Sequence, residues 1–188
     1  MTIPAAASSG LPQDFWDALN LLGRAGDRYR DATGGRVVIV GGAAVSFYTQ
    51  GLILSGDFDL VADLGFEAAM LAEGFRKEDR PGWLLREYYH PDLPRYGFEL
   101  VSGPLFDGKT DGNRLLPVHL KGGSEVLFAP IEDLIADRLG QYAASDEKDI
   151  DMLRQAQSLF RLALECDRDY LRRRIIEESG DPAAVGLV

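Results

Sequence analysis

Apolar positions change their spacing several times along the chain, and each change marks an expected element. Between residues 11 and 31, Phe15, Leu19, Leu22 and Ala25 recur at helical spacing, and Thr33-Gly34-Gly35 supplies a stop. Val37-Val38-Ile39-Val40 is a β-branched run without a polar residue, the pattern of a strand buried on both faces. Gly41-Gly42 ends that strand, and residues 43–50 read as a short helix closed by Gly51. Residues 57–62 alternate acid with apolar side chain, which predicts a strand with one polar face, and a helix is expected over 66–73. Residues 83–89, residues 97–101 and the short runs around Val118 and Val126 are strand-like and separated by Gly, Pro and Asp turns. Beyond Pro130 the texture turns helical. Ile131, Leu134, Ile135, Leu139 and Tyr142 form one stripe, with Pro130 and two acids placed for a helix start. A second helix from about residue 147 carries Ile150, Leu153, Phe160 and Leu164, and a strongly charged third runs over 168–178.

These elements describe an α+β protein, a mixed β-sheet flanked by helices with a C-terminal helical part. The expected organisation is a flexible N-terminus over 1–10, a core over 11–129, C-terminal helices packed on it over 130–179, and a frayed tail over 180–188. At 188 residues and 46% hydrophobic composition the chain builds one full hydrophobic core. A net charge of -10 repels a phosphate backbone at long range, which argues against a protein whose main task is gripping nucleic acid. The lone Cys166 has no partner in the chain and the N-terminus lacks a basic start followed by an apolar run, so the expected setting is a reducing cytoplasm. No stretch approaches the ~20 apolar residues of a spanning helix, and no membrane role is expected.

The candidate chemistry gathers around Ser55-Gly56-Asp57-Phe58-Asp59. Two positions apart on a strand, Asp57 and Asp59 leave the same face while Phe58 and Leu60 enter the core. Like charges so close repel unless a cation lies between them, and an oxygen-only donor set suits Mg2+ or Mn2+. The alternative is that the pair only solvates an exposed strand face. Gly41-Gly42 opens a helix whose first N–H groups and positive dipole end face a potential phosphate, and glycine permits close approach. Ser55 offers a hydroxyl to a phosphate oxygen or is a turn residue. Glu99, between Phe98 and Leu100, is a third acid on the polar face of its strand.

A strand, Gly-Gly, a short helix, an Asp-x-Asp strand and a later strand with one acid together resemble the nucleotidyltransferase superfamily, the motif spanning residues 37–61. The resemblance implies a nucleotidyltransferase fold, with Asp57, Asp59 and Glu99 as catalytic and metal-binding residues and Gly41, Gly42 and Ser55 as nucleotide-binding residues. It implies transfer of a nucleoside monophosphate from an NTP to an acceptor hydroxyl on RNA or protein. The run from Pro130 to Leu139, followed by Lys148-Asp149-Ile150-Asp151, resembles the helical half of AbiEii-type toxin or antitoxin nucleotidyltransferases. That implies triphosphate contacts from Arg138 and Lys148, and a cognate antitoxin or toxin partner. Arg138 stands where those proteins typically have Lys, and Glu99 where the third acid is usually Asp; both departures also fit a catalytically silent binding or regulatory module. The competing reading of Arg138 and Lys148-Asp149 is helix-surface ion pairing.

Other features resolve into ordinary roles. Gly41-Gly42 after a buried strand also fits the start of a dinucleotide-binding Rossmann unit, but Ala43 and Ser46 stand where its later glycines belong. His90, His119 and Cys166 are expected in surface or packing roles. Trp83, Tyr88, Tyr89 and Tyr96 are expected in core and sheet surface rather than in a base-stacking pocket. Arg172-Arg173-Arg174 lies among Glu165, Asp167, Asp169, Glu177 and Glu178 and reads as a solvated helix laced with ion pairs.

Overall fold

The structure is a computed structural model that describes residues 10–79, 87–145 and 149–187. It divides into two compact units, one formed by residues up to Pro104 together with Leu115–Phe128, the other by Leu105–Arg114 together with Ala129–Val188.

The first unit is built on a mixed sheet. Helix α1 (Gln13–Thr33) leads into β1 (Val37–Val40), α2 (Gly41–Tyr48), β2 (Asp57–Ala62) and α3 (Phe66–Ala72). Then come β3 (Arg76–Lys77), β4 (Tyr88–Tyr89), β5 (Gly97–Val101), β6 (Leu116–His119) and β7 (Glu125–Phe128). Among the described residues the sheet has seven strands in the order β3-β4-β5-β2-β1-β7-β6. β1 pairs parallel to β7 and β2 parallel to β5, and the other neighbours are antiparallel. A Rossmann unit would set β1 and β2 parallel across α2; here they run antiparallel, with Val40 opposite Asp59. Of the strand expected over 83–89, only Tyr88–Tyr89 is assigned, and residues 83–86, with Trp83, lie outside the described residues.

The expected stripe of α1 is the one that packs. Phe15, Leu19, Leu22 and Ala25 are all within 1% of full burial, and Gly34 ends the helix at φ 74, its N–H donating to Arg30 O at 2.8 Å. Phe15 lies 5.1 Å from Phe58 centre to centre, and Phe58 stacks on Phe98 at 5.2 Å, so the inward residues of β2 and β5 form one aromatic core with α1. Tyr88 and Tyr96 are buried in the same unit. α3 is tied to α1 by Glu73, which accepts from Arg24 Nε at 2.8 Å and Arg28 Nε at 3.0 Å. His90 is buried, edge-on to Phe75, its Nδ1 accepting from Asp92 N–H at 3.2 Å.

The second unit holds α4 (Ile131–Ala144), α5 (Ile150–Leu162) and α6 (Arg168–Glu177), with both other helices packed on α4. Its centre contradicts the solvated-helix expectation for the arginine run. Arg174 is fully buried, hydrogen-bonded to Asp133, which is itself 0% exposed, and it donates to Glu177 at 2.7 Å and Glu178 at 2.8 Å. Burial disfavours its charge, yet these carboxylates outweigh that and hold the guanidinium above its ordinary pKa. Tyr170 Oη donates to Asp133 at 2.8 Å, and Arg114 lies 4.1 Å over the Tyr170 ring. The reason for the difference is tertiary: Asp133 on α4 turns inward to meet Arg174, instead of serving the exposed first turn of its own helix. The frayed tail expected after Gly180 is also replaced by a 3-10 turn, Pro182–Val185, with Val185 and Leu187 buried.

Candidate active site

Parallel pairing of β2 with β5 brings the acids onto one sheet face. Asp59 is in register with Glu99 and Asp57 with Gly97, while Phe58 and Leu60 point to the opposite, fully buried side. Asp57 and Glu99 are exposed and Asp59 is half-buried. The carboxyl of Glu99 is pushed above the ordinary range, first by partial burial and then by the charges of Asp59, Glu87 and Asp57. Three acids thus act on Glu99 here. Glu87, which the sequence did not single out, accepts the Leu100 N–H at 3.0 Å. The only signal for it was its place inside the strand-like run of residues 83–89.

The glycine pair is fitted to these side chains. Gly41 has φ +61, and a Cβ on it would lie 1.7 Å from Asp59 Oδ2; on Gly42 a Cβ would lie 2.5 Å from Ser55 Oγ. The Gly42 N–H donates to Asp59 Oδ2 at 3.3 Å. One glycine therefore makes room for the Asp59 carboxylate and the next for the Ser55 hydroxyl. Ser55 Oγ accepts the Asp57 N–H and donates to the Asp57 carbonyl, both at 3.2 Å, which fixes the entry to β2.

Asp57, Asp59, Glu99, Gly41, Gly42 and Ser55 thus all belong to the first unit, on β2, β5, the start of α2 and the loop before β2. Arg138 is on α4 of the second unit, 7% exposed, its guanidinium donating to Gln141 at 2.9 Å and Met152 Sδ at 3.2 Å, with Asp137 at 3.7 Å. Lys148 lies outside the described residues. The donor set of Asp57, Asp59 and Glu99 is chemically suited to a hard divalent cation. As the side chains stand, no group of three or more His, Cys, Asp or Glu among the described residues is gathered closely enough to hold an ion. Nor is any described helix long and apolar enough to cross a membrane.

No family model and no curated protein matches this chain. Among solved structures, the antigenic nucleotidyltransferase-like protein from Paracoccidioides brasiliensis superposes with a TM-score of 0.58 at 16% identity, over 90% of this chain and 88% of that one. The antibiotic-resistance factor ANT(2'')-Ia aligns with a TM-score of 0.47 at 14% identity, over 86% of this chain and 91% of that one. Sheet order, helix placement and the first of these superpositions agree on one architecture: the chain has the α+β nucleotidyltransferase fold.

Proposed function

We propose that the protein is a metal-dependent nucleotidyltransferase that moves a nucleoside monophosphate from an NTP to an acceptor hydroxyl. The observation that carries this reading is the register of Asp59 with Glu99, beside Asp57 and next to the Gly41-Gly42 helix start. Asp57, Asp59 and Glu99 would hold Mg2+ or Mn2+, which supplies charge stabilisation for an in-line displacement at phosphorus. The backbone N–H groups of the first turn beyond Gly42 are suited to hydrogen-bond phosphate oxygens, and the Ser55 hydroxyl would join them by turning its hydrogen away from the Asp57 carbonyl, which it meets at 3.2 Å. Glu99, its proton affinity raised by partial burial and then by its acidic neighbours, is suited to take the proton of the acceptor hydroxyl. The resemblance of residues 130–139 and 148–151 to AbiEii-type proteins supports a place in a toxin-antitoxin or phage-defence pair. The acidic composition favours a protein or small-molecule acceptor over an RNA end.

One observation favours a second reading, a catalytically silent binding module of the same fold: Arg138 is buried, with its guanidinium committed to Gln141 and Met152. Incubation of the purified protein with each labelled NTP, Mg2+ or Mn2+, and cell-extract protein and RNA as acceptors separates the two. Transfer of label that is lost on chelation and in the double variant Asp57→Ala, Asp59→Ala is expected. Full transfer by the double variant would overturn the site, and metal-dependent NTP binding without transfer would favour the silent module.

A further inference from the structure

Two buried hydroxyls, one on α2 and one on the residue that caps its C-terminus, have no part in the motif described above, and both reach the same loop. Ser46, 0% exposed, donates its hydroxyl hydrogen to Gly42 O at 3.0 Å and accepts the Ser55 N–H at 2.9 Å. One turn on, Thr49, 6% exposed, donates to Val45 O at 2.8 Å and accepts the Ile53 N–H at 3.2 Å. A serine in a helix commonly bonds back to the carbonyl four residues earlier; here that bond uses up the hydrogen and aims the lone pairs at the loop. The chain of bonds runs from the Gly42 carbonyl through Ser46 to Ser55, and from the Ser55 hydroxyl to both backbone groups of Asp57.

We propose that Ser46 is a positioning residue for nucleotide binding: it sets the distance between the start of α2 and the Ser55 hydroxyl, so that the hydroxyl, its hydrogen turned from the Asp57 carbonyl, and the first-turn N–H groups beyond Gly42 meet one phosphate group. The inference rests on the nucleotidyltransferase reading and deepens it. Ser46 touches neither substrate nor metal in this scheme. The carboxylates depend on it less, because Asp59 and Glu99 are aligned by strand pairing, and Asp57, though the Ser55 hydroxyl bonds its backbone, is also held in register with Gly97. The two ligands should therefore respond differently to its loss. A lost hydrogen bond of this kind is expected to weaken NTP binding about tenfold, with Mn2+ binding held within about twofold.

The test measures Mn2+ binding by electron paramagnetic resonance and binding of each of the four NTPs with Mg2+ by calorimetry, on the full chain. Wild type, Ser46→Ala, Ser55→Ala and the double variant are compared. Ser46→Ala should weaken NTP but not Mn2+, expose the Ser55 amide to hydrogen exchange, and add little to Ser55→Ala. Should Ser46→Ala fail to fold, Ser46→Cys, which keeps the volume and weakens the bond, carries the same expectation in smaller degree. NTP affinity within twofold of wild type in the single variant, parallel losses of Mn2+ and NTP, or independent effects in the double variant would each overturn the positioning role. A wild-type protein that binds neither Mn2+ nor any NTP would instead overturn the nucleotidyltransferase reading on which it stands.

Discussion

Replacing Gly41 with alanine probes the tightest fit in the candidate site. At φ +61 an L residue costs about 1–2 kcal/mol relative to glycine. The added methyl would stand 1.7 Å from Asp59 Oδ2 and 3.0 Å from Asp59 Cβ, so the carboxylate must swing away and give up the Gly42 N–H bond at 3.3 Å. Hydrogen bonds to charged groups contribute about 1.5–3 kcal/mol, and the length and half-burial of this one reduce it to about 1 kcal/mol. Gly41→Ala is thus expected to cost about 2–3 kcal/mol, of which about 1 depends on the Asp59 side chain. Urea denaturation of wild type, Gly41→Ala, Asp59→Ala and the double variant separates the two contributions. In the Asp59→Ala background the glycine replacement should lose its carboxylate clash and cost about 1 kcal/mol less. Additive effects within about 0.5 kcal/mol would refute the claim that Gly41 is there to accommodate Asp59.

Three further outcomes follow from the same geometry. Arg174→Met leaves Asp133 buried without its cation and should cost about 3–5 kcal/mol, while the pair Arg174→Met, Asp133→Leu should regain most of that in thermal or urea melts. For Glu73, burial raises the pKa but the bonds from Arg24 and Arg28 outweigh it, so the folded-state value is lowered from 4.5. Its stabilisation is therefore complete above about that unfolded value and lost as pH falls through the folded one; Glu73→Gln should cost about 1 kcal/mol at pH 7, since both arginines are half exposed, and nothing well below the folded pKa, as pH-dependent melts would show. Glu99 has the opposite sign: its folded pKa is raised, so stability falls as pH rises from the unfolded value through the folded one. Glu99→Gln should accordingly melt higher than wild type at pH 7 in metal-free buffer, lose that advantage in acid, and transfer no nucleotide.

What sequence patterns disclosed was local. The alternation of residues 57–62 and 97–101 set Phe58, Leu60 and Phe98 inward, and these are the fully buried residues. Period alone could not show that β1 and β2 run antiparallel, nor that β2 and β5 pair parallel, because partner choice depends on contacts distant in the chain. Arg174 was misread for a related reason: a helix crowded with charges looks solvated until a buried carboxylate on another helix is known. Ser46 and Thr49 escaped because hydroxyls in a short apolar helix have no distinguishing pattern, their partners being backbone groups that every sequence carries. Glu87 borders residues 80–86 and became visible only through its charge beside Glu99.

Asp59 and Glu99 face each other on strands that are not consecutive, since α3, β3 and β4 intervene. A folding chain can form the β1–α2–β2 segment, glycines and both aspartates included, before the opposing acid arrives. Docking of β5 closes a longer loop than the β1–β2 pairing and at the same step sets like charges side by side, so entropy and repulsion fall on one event. Salt screens the second of these without touching the first. Refolding of this unit should therefore quicken as ionic strength rises, and Glu99→Gln should remove most of that acceleration.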